Sequence, residues 1–395
     1  MAVRYAPVLR AFAKEYEIDV IQLVTHWAGE MEPGADAGVL RRFDTITRRR
    51  TRPSLARRIA MRARTVWYPR PPHAVFSLDR RQVAEKLKHL MEGRHYDCGL
   101  WVCPDLADLA APILRKHCDR IVYDAIDSLT SVESKKSSGT PLAKWDLSWL
   151  RRWEQHVSRL FDTACYISRS DIALITSDDP ELAKEIMHLP NGVMHDDFNS
   201  EVATVDGIAP NDFVVGFLGH MAYGPNIQAA LRLGKIYPGL RSEIPNVKLL
   251  IIGRSPAEPV RALLNTPGIV VTGTVDNIWP YINRANVFVF PMETGAGQQN
   301  KVLEAMFAKR PVVATSIANN GVGAIAGEEI LLGETDEKLC QHIIALWRDP
   351  GFATHIGARG REFVEKTYSW DAILPDFFRI LSTRAMRAKS SDQAG

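Results

Sequence analysis

Val287-Phe-Val-Phe-Pro-Met-Glu-Thr-Gly-Ala-Gly-Gln-Gln-Asn-Lys-Val-Leu-Glu-Ala-Met-Phe-Ala-Lys-Arg-Pro-Val-Val-Ala-Thr315 is the stretch from which the rest of the chain is understood. Val287 to Phe290 is a short β-branched and aromatic run closed by Pro291, the pattern of a buried parallel strand. Gly295 and Gly297 allow the backbone to approach a ligand closely. From Asn300 onward, Val302, Leu303, Met306 and Phe307 recur at helical spacing until Pro311, and Val312 to Thr315 begins another strand. A glycine-rich loop feeding a helix N-terminus is an anion site, because unpaired N–H groups and the helix dipole face the ligand. Lys301 and Glu304 lie three apart and share a helix face. A cation and a carboxylate beside such a loop suit a sugar nucleotide, the first meeting the diphosphate and the second accepting from ribose hydroxyls. The bland alternative is a plain strand–helix unit whose charges are merely solvated.

The run Leu-Glu-Ala-Met-x-Ala-x-x-Pro-Val-Val-Ala-Thr, ending at Thr315, resembles the donor-site signature of GT-B glycosyltransferases, most closely glycosyltransferase family 4 (group 1). The chain departs from that family's Glu-x7-Glu pair: Ala296 stands eight residues before Glu304. Its Gly-x-Gly-x-x-Asn-Lys form is similar to a polysaccharide-associated branch of sugar transferases that lost the first glutamate. The resemblance implies a catalytic role for Lys301 and donor binding by Glu304, Asn300, Gly297 and Gly295.

With 395 residues, 46% hydrophobic and 24% charged, the chain has the composition of a globular protein large enough for two α/β domains. No apolar run reaches the ~18 residues that span a bilayer, and no signal peptide is recognisable. Cys98, Cys103, Cys118, Cys165 and Cys340 are scattered without zinc spacing and fit reduced thiols in a cytoplasmic protein. The net charge of +3 is unevenly spread. Residues 41–70 hold eleven arginines and one acid, Asp44, so the segment is +10 and the remainder −7. With Trp67 and Tyr68 beside them, Arg41 to Arg70 suit an anionic membrane surface or a lipid-diphosphate acceptor. A solvated loop is the alternative, and no nucleic-acid-binding module accompanies the arginines.

Met1 to Tyr16 is expected to be an amphipathic helix presenting Val8, Leu9, Phe12 and Ala13, followed by a strand over Ile18 to Leu23. A doubly wound domain opens with a strand and a glycine-rich turn, so the first strand of the N-terminal domain is expected to be missing. Arg120 to Ile126 is a strand ending in Asp124-Ala-Ile-Asp127. Family members often carry a histidine near this strand end. Here Asp124 and Asp127 occupy the neighbourhood, where α/β sheets bind ligands, and one of them is expected to act as a catalytic group on the acceptor side. Pro190-Asn-Gly-Val resembles a short family motif and is also an ordinary turn. The polar residues Asn199 to Asn211 read as a linker.

Val214 to Leu218 then opens a second domain. Its following loop, Gly219-His220 to Pro225, carries His220 and Pro225 where the family places an arginine and a lysine for the donor phosphates. Gly219, His220 and Arg254, the last after the strand Val247 to Ile252, complete the expected donor site. Tyr368-Ser-Trp370 and the helix after it resemble the GT-B terminal helix.

The resemblance therefore implies an α/β chain of GT-B type, two Rossmann-like doubly wound domains facing across a cleft. The expected divisions are 1–205 on the acceptor side, 206–367 for the nucleotide sugar, and a terminal helix over 368–388. It implies transfer from a nucleotide sugar to a lipid-linked sugar or growing polysaccharide, with retention and without a metal or other cofactor, by a cytoplasmic enzyme peripheral to the inner membrane face. No nucleic-acid partner is expected. A nucleotide-sugar epimerase and a non-catalytic partner subunit of the same fold remain open alternatives at this level.

Overall fold

The computed structural model describes residues 2–25, 38–48, 80–102, 104, 106–134, 140–193, 198–295 and 297–382. The chain divides into two compact units, residues 1–190 with 373–395, and residues 191–372. Most of the arginine-rich stretch (49–70), Ala296 and the tail after Lys389 lie outside the described residues.

The first unit runs α1 (Ala2–Phe12), β1 (Asp19–Thr25), β2 (Arg42–Arg48), α2 (Arg80–Met91), β3 (Tyr96–Val102), α3 (Ala107–Leu114), β4 (Cys118–Ile126), α4 (Leu129–Ser134), α5 (Pro141–Ser158), β5 (Thr163–Tyr166), α6 (Arg169–Ile175), α7 (Pro180–Glu185) and β6 (Ile186–His188). Strands β3 to β6 form a parallel sheet in sequence order, and β1 pairs in parallel with β2 as a separate ribbon. The β2 residues, read from sequence only as the start of a basic stretch, form a strand whose Ile46 is wholly buried and whose Arg42 donates to the Leu90 carbonyl. Helix α2 buries Val83, Leu87 and Met91, the spacing that puts one stripe against the core. Thr140 caps α5 by accepting from the Ala143 N–H, with Pro141 in the first turn.

The second unit runs β7 (Phe213–Leu218), α8 (Gly224–Glu243), β8 (Val247–Ile252), α9 (Glu258–Ala262), β9 (Ile269–Val271), α10 (Trp279–Arg284), β10 (Val287–Phe290), α11 (Asn300–Phe307), β11 (Val312–Ala314), α12 (Ser316–Asn319), β12 (Leu331–Leu332), α13 (Asp336–Arg348) and α14 (Pro350–Tyr368); α15 (Trp370–Leu381) follows. All six strands are parallel, in the order β12-β11-β10-β7-β8-β9. The chain builds outward from β7 through β8 to β9, then returns to the other side of β7 with β10. Gly216 in β7 pairs with Phe288 in β10, and a Cβ there would meet the Phe288 ring at 2.7 Å. The stretch Asn199 to Asn211, read as a linker, lies in this unit: Val205 and Ile208 enter its core, and Asn283 donates to the Asn199 and Glu201 carbonyls.

Helix α11 ends before Pro311. The Arg310 N–H bonds back to Ala305 and the Lys309 N–H to Met306, with Lys309 left-handed at φ 56°. This double closure satisfies the last carbonyls of the helix, and the proline only seals it. Helix α14 carries no clear apolar stripe in sequence because its inner face is built from Gly357 and Gly360 with Ile356 and Val364. A Cβ on Gly357 would lie 2.3 Å from the Lys309 carbonyl oxygen, so glycine lets α14 meet the end of α11 backbone to backbone.

Candidate functional site

The reversal of strand order falls between β7 and β10, and open α/β sheets bind ligands outside the strand carboxyl ends at that point. The loops leaving β7, β8 and β10 carry Gly219 and His220, Arg254, and Gly295 to Lys301, so the fold brings these sequence-selected residues to one edge of the second unit's sheet. His220 and Arg254 are exposed. Their turns are tied by a Met221 N–H to Arg254 carbonyl bond of 3.0 Å. A Cβ on Gly253 would come within 1.8 Å of the Gly219 carbonyl oxygen, so only glycine permits this approach.

Lys301 and Glu304 are both half-buried. The Lys301 Nζ donates to Asn226 Oδ1 at 2.5 Å, lies 3.3 Å from Met292 Sδ, and sits 5.4 and 5.9 Å from the ring centres of Phe217 and Phe290. Those rings belong to β7 and β10, the two strands of the reversal. Burial lowers the Lys301 pKa to about 8, opposed by the charge of Glu304. Burial likewise raises the Glu304 carboxyl to about 7, opposed by Lys301. Among the described residues Glu304 accepts no hydrogen bond and has no cation at ion-pair distance. Burial makes the charged carboxylate costlier, and donors from a ligand would offset that cost.

The glycine-rich loop is fixed from two sides. Gly297 is left-handed at φ 65°, and its carbonyl packs so closely on Gly321 that a Cβ there would lie 2.1 Å away. Gln298, nearly buried, holds the peptide groups of Asn191 with both ends of its amide. Asn300 stands in the first turn of α11 with its Oδ1 buried and without a hydrogen-bond partner among the described residues.

Asp124 and Asp127 lie in the first unit, at the carboxyl end of β4. Asp124 is fully buried. Its Oδ2 accepts from Arg4 Nε at 2.8 Å and the Tyr5 hydroxyl at 2.5 Å, and its Oδ1 from the Ile126 N–H. Arg4 also donates to the Leu189 and Pro190 carbonyls, so Asp124 anchors α1 to two strand ends. Ile126 is left-handed at φ 64°, a strained state for a β-branched residue. Just beyond, the Ser128 N–H donates to Asp171, and the Leu129 and Thr130 N–H groups donate to the buried Glu154. Burial raises the Glu154 carboxyl to about 7 despite these donors. Asp127 is thus held between a strained residue and a clamped turn. Asn226, Gln298, Arg4 and Glu154 were not singled out from sequence; each acts on a residue far away in the chain, and no local pattern marks them.

Residues 212–349 match the family described as glycosyl transferases group 1. The capsular polysaccharide biosynthesis glycosyltransferase CapM of Staphylococcus aureus is 27% identical over 181 residues, 44% of this chain and 47% of that protein. The chain spans less than half the length of the curated relatives it matches. Among solved structures, sucrose-phosphate synthase from Thermosynechococcus elongatus superposes with a TM-score of 0.67 at 17% identity, covering 97% of this chain and 92% of that one. Anabaena HepE in complex with UDP and glucose gives 0.61 at 13% identity, covering 94% and 93%. The resemblance read from the donor-site stretch holds, and the fold is GT-B, with two Rossmann-like domains.

Proposed function

We propose that the protein is a glycosyltransferase that takes its sugar from a nucleotide-sugar donor bound at the carboxyl edge of the second unit's sheet. The observation that carries this reading is the half-buried Glu304 carboxylate three residues from the Lys301 cation at the strand-order reversal. Glu304 accepts from the ribose hydroxyls. Lys301, Arg254 and the α11 N-terminus face the diphosphate, with the Gly219–His220 turn beside it. As the bond from the anomeric carbon to the phosphate oxygen breaks, negative charge grows on the diphosphate, and fixed positive groups there lower the barrier. The new bond forms to the acceptor oxygen, whose proton passes to the leaving phosphate. The resemblance favours retention of anomeric configuration and leaving-group stabilisation by side chains rather than a metal. Asp124 is committed to Arg4 and Tyr5, and Asp127, at the same strand end, is the acceptor-side candidate. HepE, solved with UDP and glucose, supports UDP as the first nucleotide to test, and CapM, named for capsular polysaccharide biosynthesis, supports a polysaccharide acceptor. The basic stretch Arg41–Arg70 would hold the protein at an anionic membrane surface.

A thermal-shift series with UDP, GDP, ADP and their glucose derivatives tests the reading, because a ligand that binds only the native state raises its melting point. One nucleotide should stabilise well above the others. No stabilisation by any of them removes the donor site, binding without turnover selects a non-catalytic subunit, and release of epimerised free donor selects an epimerase.

A further inference from the structure

We propose that Asn226 is the positioning residue of Lys301, holding its ammonium to the His220 turn so that both address one diphosphate. The proposal rests on the donor reading above. Asn226 lies in the first turn of α8, only 6% exposed. Its amide bridges two strand ends. Nδ2 donates to the His220 carbonyl at 3.1 Å, and Oδ1 accepts from Lys301 Nζ at 2.5 Å. An ammonium can only donate and a carbonyl can only accept, so this amide orientation is the one that satisfies both. Its backbone N–H donates to Tyr223 at 2.9 Å, which fixes the side chain's root. Gly219 is built for the arrangement, since a Cβ there would come 2.7 Å from Nδ2.

The chemistry of the partner matters. A carboxylate at this position would neutralise Lys301 and compete with an incoming anion. A neutral amide orients the cation and leaves its charge available. Apolar walls from Phe217, Phe290 and Met292 bar alternative water-bonded positions on that side. Asn226 therefore orders the Lys301 cation without neutralising it.

The test is titration calorimetry with UDP and with uridine on the wild type, Asn226→Ala, Lys301→Ala and the double variant. UDP carries the charge that develops in the reaction, whereas uridine has no phosphate. Asn226→Ala should weaken UDP by about 10-fold or more, within the roughly 10- to 150-fold expected for a lost hydrogen bond to a charged group, and leave uridine unchanged. In the Lys301→Ala background the same change should cost less than about twofold, because a positioning residue has nothing left to position. The isosteric Asn226→Asp should weaken UDP at least as much as alanine. Equal losses in both backgrounds, or equal losses for UDP and uridine, overturn the role of Asn226 alone. UDP binding unchanged in Lys301→Ala overturns the donor reading and this inference together.

Discussion

Gln298 grips Asn191 through both ends of its side-chain amide: Oε1 accepts from the Asn191 N–H and Nε2 donates to the Asn191 carbonyl, each at 2.8 Å. The contact spans 107 residues of sequence and ties the glycine-rich loop to the first residues of the second unit. Gln298→Glu keeps the shape but sets a carboxylate oxygen against a carbonyl oxygen. That change should cost about 1–3 kcal/mol, seen as a lower melting temperature, together with weaker nucleotide binding. Gln298→Glu with wild-type melting and affinity would show that the grip does not order the loop.

Glu304→Gln should trade binding for stability. Loss of hydrogen bonds to a charged acceptor predicts about 10- to 150-fold weaker donor binding. The unliganded protein should respond oppositely. The folded-state pKa is raised to about 7, so the unfolded chain ionises first as pH rises from about 4.5. Stability is fully present below that range and falls until about pH 7, for a total cost of about 1–3 kcal/mol. The glutamine variant should therefore melt above the wild type at pH 8 and close to it at pH 4.5. Melting below the wild type at pH 8 would mean that the carboxylate is already satisfied.

The two perturbed groups predict a narrow pH profile. Glu304 must be ionised to accept from ribose, and Lys301 must be protonated to meet the diphosphate. The value of kcat/KM should rise through about pH 7 and fall through about pH 8. Glu304→Gln should remove the acid limb. Lys301→Ala should remove the alkaline limb and lower kcat more than it raises donor KM, because charge on the diphosphate builds in the transition state. Both limbs surviving in both variants would assign the titrations to other groups.

Arg4→Leu should destabilise the first unit by about 3–5 kcal/mol, since it strands the buried Asp124 charge. The double change Arg4→Leu with Asp124→Leu should recover much of that loss. Denaturant unfolding measures both. A single variant costing under 1 kcal/mol would remove the pair as an anchor.

The basic stretch Arg41–Arg70 predicts co-sedimentation with anionic but not neutral vesicles, weakened by salt, with each basic residue worth about 1 kcal/mol at the surface. Equal binding to both kinds of vesicle, or none, would dispose of the membrane contact. No helix among the described residues is long and apolar enough to cross a membrane.

The sequence by itself determined those features that local pattern carries. The strands β7 and β10 are continuous apolar runs, β8 is one after Lys248, and the Lys301–Glu304 face follows from a 3.6-residue repeat. Those elements stand where the residues indicate. Tertiary structure decided the features that depend on contacts across the chain. Strand order set β10 against β7 and so put Phe290 and Phe217 under the Lys301 ammonium. The α14 helix was hidden because glycine, rather than a large apolar residue, serves its closest contacts. Asp124 and Asp127 look equivalent in sequence, yet an arginine 120 residues away buries and pairs the first. Local periodicity reports which face of an element is apolar. Only the assembled sheet fixes which polar groups meet, because hydrogen bonds form between neighbours in space whatever their separation along the chain.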